Sequence, residues 1–430
     1  DNPNAMVILW KDHTAIKEAE MINERSKSWG GEDFTKYSGG IYSSEWYWSK
    51  ILHIAHNDPL VDKAAWTWME HCDFIVFELT DQKNLEVFKR SRCAAGHKGM
   101  WHESWGGYPP SQFFEQLHPS LGRLRETLPN ETFTADNVAG RLNEEWAEKL
   151  GLSKETIVTV GLLDAHACAV GSGIRENSLV KVMGTSTCDM LVNRPEQLGD
   201  KIIPGISGQV DGSILPGMIG FEAGQSAFGD ALAWFKNVLS YGITQNEGDQ
   251  LLEKLADDAE KSSLSEDDVI ALDWINGRRT PDANQALMGV FSNLTIGTGA
   301  VQMFKGLVES ICFGAKAINE RFLDEGLKIE EIVGVGGVAD KSPYVMQTLA
   351  DVLQSSIKVS AAEQSGALGC AMYASVCAGI HNRMEEAVKV MGKGFKKVYE
   401  PDDRLADIYA KRYNSYRKLG SFVEDELSQK

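Results

Sequence analysis

Residues 161–190 read GLLDAHACAVGSGIRENSLVKVMGTSTCDM, and this stretch decides the fold. The apolar run 157–160 just ahead of it has the composition of a strand and stops at Gly161. Three residues later Asp164 stands alone among Ala, Gly, Leu and Val. Residues 179–183 alternate like a second strand and run into Gly184-Thr185-Ser186-Thr187; another strand-like piece follows over 188–192. A turn of small residues between two strands can aim successive backbone N–H groups and hydroxyls at an anion, the geometry that binds phosphate. A lone carboxylate about twenty residues ahead of such a turn fits phosphoryl transfer, with a base and a cradle for charge. A buried, hydrogen-bonded Asp and an ordinary hairpin would be written with the same residues.

Further along, residues 329–335 alternate as a strand and lead into Gly336-Gly337-Val338-Ala339-Asp340-Lys341. Ser342 then caps a helix with Pro343 at its first position. A strand, a Gly-Gly turn and a helix start form nucleotide-phosphate or adenosine sites in many α/β proteins, although Gly pairs also serve plain helix–strand packing. A strand over 357–360 and a small-residue helix over 365–378 complete a second α/β unit. Two such turns, about 150 residues apart, point to a nucleotide held between two lobes.

The remaining segments are read around these. Residues 4–10 form a short apolar strand ending at Lys11-Asp12-His13, which puts Asp12 where α/β folds bind ligands, or in a solvated turn. Residues 41–56 and 64–80 are aromatic-rich helices whose tryptophans belong to a core. Residues 90–107 place Lys98 on an irregular, partly buried segment; a lone lysine is ordinarily a surface lysine, so Lys98 needs outside support. His97 and His102 lack a partner carboxylate pattern and are not read as metal ligands. Residues 206–230 are a glycine-dense polar loop carrying Gln209, Asp211, Glu222 and Gln225, where backbone can approach a ligand closely. Residues 242–269 are an exposed acidic helix and linker, and 302–317 a buried helix.

Composition bounds the function. A chain of 430 residues is too long for one ordinary core, which predicts two domains, 1–175 and 176–430. Acids outnumber bases 61 to 43, a net charge of −18 that disfavours nucleic acid and anionic membranes as partners. The seven cysteines have no metal-ligand spacing and read as reduced thiols of a cytoplasmic protein. The most apolar window, 157–174, is interrupted by Asp164 and His166, so no membrane span is expected.

Taken together, NAMVILWKDH (4–13), SRCAAGHKGMW (91–101), the GLLDAH run (161–166), MGTSTCD (183–189), the segment 208–230 and the Gly-Gly turn with its helix resemble the FGGY carbohydrate kinases. The resemblance covers essentially the whole chain and is nearest to members that phosphorylate L-ribulose. It implies an α/β, two-lobed, actin-like ATPase fold of ribonuclease-H-like lobes, with ATP and sugar in the cleft between them. It implies Mg-ATP-dependent phosphorylation of the 5-hydroxyl of L-ribulose in L-arabinose catabolism. Asp164 matches the family's catalytic base. Gly184, Thr185 and Ser186 match its phosphate-binding hairpin, and Gly336, Gly337 and Lys341 its adenosine segment. Gly224 and Gln225 correspond to positions bordering the nucleotide. Ala5, Lys98 and Glu222 match positions lining the sugar pocket, with Asp12 in the corresponding strand-end turn. The first lobe is thus expected to bind sugar and the second ATP, with Mg2+ as the second cofactor and no metal ligand assigned. One departure is that the family's opening strand and Asp-x-Gly-Thr-type phosphate turn have no counterpart here, so the N-terminal strand is expected to be missing from this sequence. Kinases for D-ribulose, xylulose or another polyol, a non-catalytic sugar-binding protein, and a homodimer stay open as alternatives.

Overall fold

The computed structural model describes residues 2–241 and 250–428. Of the acidic segment expected over 242–269, residues 242–249 lie outside the described residues; the rest contains the helix Leu251–Lys261. The chain divides into two compact units, each built from separate segments. Unit 1 comprises Asp1–Glu176, Val192–Glu222 and Gln364–Gly392; unit 2 comprises Asn177–Leu191, Ala223–Glu363 and Lys393–Lys430. The expected cut after residue 175 falls beside the first crossing, but two later segments return to unit 1. Close packing is the reason. A Cβ added at Gly171 would stand 1.9 Å from the carbonyl oxygen of Ser365, and one at Gly369 2.0 Å from that of Ala167. The helices Asp164–Gly171 and Ser365–Cys377 therefore touch backbone to backbone, which only glycine permits. Likewise a Cβ at Gly96 would stand 2.4 Å from Val210, which seats the strand Gly208–Asp211 on the helix Arg92–Lys98.

Unit 2 holds the parallel strands Ser178–Met183, Glu331–Val335 and Ile357–Ser360, with Glu331–Val335 in the middle. Thr187–Asn193 and Phe395–Tyr399 flank them antiparallel. Glu331–Val335, read as an alternating strand, is instead buried throughout, as a parallel strand covered on both faces is. The helix Ala300–Asp324 contains the expected buried run and extends it, with Phe304, Leu307, Val308, Ile311 and Cys312 in the core. Unit 1 is mostly helical around an aromatic core in which Trp48, Phe113 and Phe114 are fully buried and the Trp48 and Phe114 rings lie 3.8 Å apart. The tryptophans of the expected helix over 41–56 are core, as read, although that helix begins only at Tyr47.

Four local expectations are corrected. Residues 4–10 form no strand: Pro3–Ala5 is a 3-10 turn, and Met6, Val7, Leu9 and Trp10 stand exposed. Apolar alternation makes a strand only where another strand accepts its backbone hydrogen bonds, and none pairs with this segment among the described residues. Residues 64–80 are not one helix: Ala64 ends Pro59–Ala64, residues 65–70 belong to neither helix and His71–Leu79 follows, and Trp66, read as core, lies on the non-helical stretch and is exposed. Residues 90–107 and 206–230, read as irregular, contain the helix Arg92–Lys98 and the hairpin of Gly208–Asp211 with Ile219–Ala223. No helix among the described residues is long and apolar enough to cross a membrane.

Candidate active site

Unit 1 carries a buried charge cluster. Ser91 caps the helix Arg92–Lys98 by accepting from the Ala94 amide, which starts the helix so that His97 and Lys98 fall in its last turn. The Tyr42 hydroxyl donates to the Lys98 carbonyl and the Trp48 indole to the Gly99 carbonyl, holding that helix end against the aromatic core. Lys98 then reaches past Trp46, its Nζ 5.3 Å from the ring centroid, to donate to Oε1 of Glu222 at 2.8 Å. Glu222 lies on Ile219–Ala223, and its backbone carbonyl accepts from Ser207. His97 and His166 approach the second carboxylate oxygen, each with a ring nitrogen 3.5 Å from Oε2.

The electrostatics follow from burial. Desolvation pushes the Glu222 carboxyl up, but the Lys98 ammonium and the hydrogen bond it donates outweigh it and hold the group well below the usual carboxylate range. Burial keeps His97 neutral, well below the ordinary imidazole value, and pushes His166 down to about 4. The cluster is therefore one carboxylate, one ammonium and two neutral rings. Asp164 stands nearby in sequence at the first position of Asp164–Gly171; it is exposed, and its Oδ1 accepts from the Ala165 amide at 2.7 Å. An exposed carboxylate on a fixed helix start can accept a proton from a ligand hydroxyl.

The structure places the other two expected unit 1 residues differently. Ala5 is exposed on its 3-10 turn, which Asn2 and Asn4 tie to Asp58. Asp12 turns back on Thr14, accepting from its amide at 2.8 Å and from its hydroxyl; those bonds hold its carboxyl below the usual range.

Unit 2 carries an open backbone turn. Gly184 N–H donates to the Ser186 carbonyl and closes the hairpin. Behind it, the amides of Phe228 and Asp230 donate to the Thr185 carbonyl, and that of Gly229 to the Gly184 carbonyl. Gly229 packs so closely that a Cβ would stand 2.5 Å from the Gly184 oxygen. Gly336 has φ +103° and a Cβ there would meet the Met183 carbonyl oxygen at 2.6 Å, so the Gly-Gly turn abuts the hairpin. On the outer side, Gly184 and Gly337 are exposed: among the described residues a Cβ at Gly337 meets nothing within 4 Å, and one at Gly184 only the Ser186 carbonyl oxygen at 3.9 Å. Thr185 and Lys341 are exposed and Ser186 is half-buried. The result is a shelf of exposed backbone and hydroxyls able to receive a phosphate chain.

Gly224 and Gln225 are buried instead. The Gly224 amide donates to Thr280 Oγ1, which donates back to the Gly224 carbonyl; the Gln225 side chain donates to Asp273 and to the Ile311 carbonyl. Gln225 also lines a cavity of about 300 Å³ in which Arg278 pairs with Glu424 and Arg321 with Asp282. Sequence reasoning missed His166 and Ser213 as members of the unit 1 cluster and set His97 aside, because no spacing joins residues that meet only in three dimensions.

Comparison with known proteins gives these sites a context. Residues 1–171 match the N-terminal domain of the FGGY family of carbohydrate kinases, and residues 179–378 its C-terminal domain. The chain is 44% identical to a protein named ribulokinase from Vibrio parahaemolyticus, covering 98% of this chain and 77% of that one. It is 36% identical to a ribulokinase from Bacillus licheniformis over 98% of this chain and 76% of that one. Among solved structures, a ligand-bound xylulose kinase from Lactobacillus acidophilus superposes with a TM-score of 0.80 at 19% identity, covering 97% of this chain and 79% of that one. Plasmodium falciparum glycerol kinase with ADP superposes with a TM-score of 0.72 at 17% identity, over 96% and 78%. These likenesses show a two-domain α/β sugar-kinase fold.

Proposed function

The chain belongs to the FGGY family of carbohydrate kinases, and within that family we propose that it transfers the γ-phosphoryl group of ATP to the 5-hydroxyl of L-ribulose. The observation that carries the reading is the Lys98–Glu222 pair, a donor and an acceptor locked together in a buried site. A ketopentose offers hydroxyls and a carbonyl; Lys98 donates to an oxygen while Glu222, kept ionised, accepts from a hydroxyl. The reading is supported further by the similarity to two ribulokinases over nearly the whole chain. L-arabinose catabolism and the cytoplasm are the proposed setting.

Unit 1 supplies the groups for the acceptor. Asp164 takes the proton from the attacking hydroxyl, a role worth about 10²–10⁴-fold in rate. Ala5 and Asp12 border the same sugar in this reading. Unit 2 supplies the groups for the nucleotide: Gly184, Thr185 and Ser186 for the phosphates, and Gly336, Gly337 and Lys341 for the adenosine end, with Gly224 and Gln225 behind them. The open space over Gly184 and Gly337 fits such a ligand. Mg2+ enters with ATP and neutralises charge on the transferring group. Most of the rate comes from positioning and charge neutralisation rather than from covalent chemistry by the protein.

The test is ADP release, coupled to a colour change, with Mg-ATP and L-ribulose, D-ribulose, D-xylulose or glycerol. The highest kcat/KM is expected with L-ribulose. A preference for another polyol keeps Asp164 but removes Lys98 and Glu222 as readers of L-ribulose, and no turnover with any sugar overturns the proposal.

A further inference from the structure

The proposed reaction leaves two buried groups without a task, His97 and His166. Both rings are essentially inaccessible, and their centroids lie 4.7 Å apart. Among the described residues, His97 Nδ1, both nitrogens of His166 and Oε2 of Glu222 have no hydrogen-bond partner, an unusual concentration of idle polar atoms in one buried place. The site is built to hold them: a Cβ at Gly208 would stand 2.0 Å from His97 Nδ1, so only glycine leaves room for the ring.

Two chemistries suit such a cluster. His97, His166 and Glu222 offer three donor atoms within 4.8 Å of one another, the composition of a metal centre with two imidazole ligands and one carboxylate. Charge argues against it. Lys98 Nζ already sits 2.8 Å from the other oxygen of the same carboxylate, and a dication would put three positive charges on one buried anion. Two neutral N–H donors satisfy the oxygen with no added charge. Their 3.5 Å separations need to close only by about half an ångström to reach hydrogen-bond length, as such contacts do when a ligand binds.

We propose that His97 and His166 are positioning residues whose ring N–H groups grip Oε2 of Glu222 and so aim Oε1, together with Lys98, at one hydroxyl of the acceptor sugar. The proposal rests on the reading of Glu222 as a sugar ligand. Ser213 stands against the other ring nitrogen of His97. Its hydroxyl oxygen is 3.0 Å from His97 Nε2 and 3.1 Å from the Val210 carbonyl, and its one proton can serve only one of them. Donated to Nε2, it leaves the neutral ring protonated at Nδ1, the nitrogen that faces Glu222. Donated to the Val210 carbonyl instead, it makes the hydroxyl oxygen an acceptor for a protonated Nε2 and leaves a bare Nδ1 facing a carboxylate that only accepts; the ionised Glu222, not Ser213 alone, therefore selects the Nδ1 tautomer.

The experiment combines kinetics with side-chain nitrogen NMR on the intact protein. His97→Leu and His166→Leu remove the donors; His97→Asn and His166→Gln keep an amide N–H close to the lost ring nitrogen. The Leu variants are expected to raise KM for the sugar about tenfold or more, with kcat within about threefold and KM for ATP unchanged, and the amide variants to recover most of the loss. The wild-type spectrum is expected to show His97 neutral and protonated at Nδ1. Folded Leu variants with an unchanged sugar KM overturn the proposal, and so does an equal rise in both KM values. Should the Leu variants fail to fold, the spectrum decides: protonation at Nε2 with a bare Nδ1 overturns it. Stoichiometric uptake of Zn2+ by the wild type that His166→Gln abolishes also overturns it, in favour of a metal centre. Glu222→Gln separates the two readings. If it leaves the sugar KM unchanged, Glu222 is no sugar ligand; if it raises KM while the Leu variants do not, only the positioning role falls.

Discussion

The Glu222 cluster of unit 1 and the Gly184 turn of unit 2 present ligands with opposite kinds of surface. The cluster is side chains: one anion, one cation and two neutral rings, almost wholly withdrawn from water. The turn is backbone, open on its outer side and braced from behind by the amides of Phe228, Gly229 and Asp230. Buried side chains hydrogen-bond strongly and discriminate between partners, because a mismatched group strands a desolvated charge. An open row of amides and hydroxyls reads only charge and shape, which suits a phosphate chain common to many reactions. The first surface is suited to selecting a substrate, and the second to holding a common one.

The largest expected effect tests whether chemistry belongs to the unit 1 side. Asp164→Asn keeps the side chain's shape and its bond to the Ala165 amide but removes the base. Its kcat is expected to fall about 10²–10⁴-fold with both KM values and the unfolding midpoint unchanged. Near-normal turnover would remove Asp164 from the reaction. Lys98→Met comes next. It leaves the Glu222 carboxylate buried without its ammonium, and a loss of about 3 kcal/mol in stability is expected, near the lower end for a broken buried pair because Lys98 is partly solvated. Adding Glu222→Gln to Lys98→Met removes the stranded charge and should restore part of that loss in urea unfolding. If the double variant is no more stable than the single, the pair does not act as a unit.

Acid should separate the two surfaces as well. His166 titrates near 6.5 in the unfolded chain and about 4 in the folded one, because burial disfavours the charged ring. Above pH 6.5 both states are neutral and its contribution is complete. As pH falls from 6.5 to 4 only the unfolded chain takes up the proton, so stability is lost, by about 3 kcal/mol at the lower limit. Asp73, pushed up to about 6 by burial, works in the opposite sense in the same unit, so the readout is a difference. The stability of the wild type minus that of His166→Gln should shrink on acidification through this window. A pH-independent difference would mean that His166 is not buried neutral.

How far the sequence carried depended on the range of the interaction. The hairpin of Ser178–Met183 and Thr187–Asn193 was legible nearly to the residue, because alternation and a small-residue turn are local signals. The helix ending at Lys98 was not, although Ser91 stands where a cap belongs: Gly96 and Gly99 disguised it, and their reasons lie in Val210 and in the backbone around Ala95. The hairpin over 208–223 was hidden in the same way by glycines demanded by partners such as His97 and Ile214. Residues 4–10 show the converse, a strand-like pattern that pairs with no strand among the described residues. Lys98 and Glu222 lie 124 residues apart, so only the family resemblance could name both, and nothing in the sequence could place the two histidines between them.

The smallest expected effects lie in the Gly336-Gly337 turn, where adjacent glycines differ in why they are there. Gly336 holds φ +103°, and an added Cβ would come within 2.6 Å of the Met183 carbonyl oxygen, a backbone atom that cannot swing aside. Gly336→Ala is therefore strained twice, and a loss of about 1–3 kcal/mol is expected. Gly337 has no such demand: nothing lies within 4 Å of its absent Cβ, and it opens the helix Gly337–Lys341, where alanine is a better helix former. Gly337→Ala should change stability by no more than about 0.5 kcal/mol. If the space above Gly337 receives the nucleotide, the same methyl group should still raise KM for ATP while leaving KM for the sugar untouched. A silent Gly337→Ala, with unchanged stability and unchanged KM for ATP, would leave the shelf over Gly184 as the part of unit 2 that meets the nucleotide and would take Gly337 out of the site.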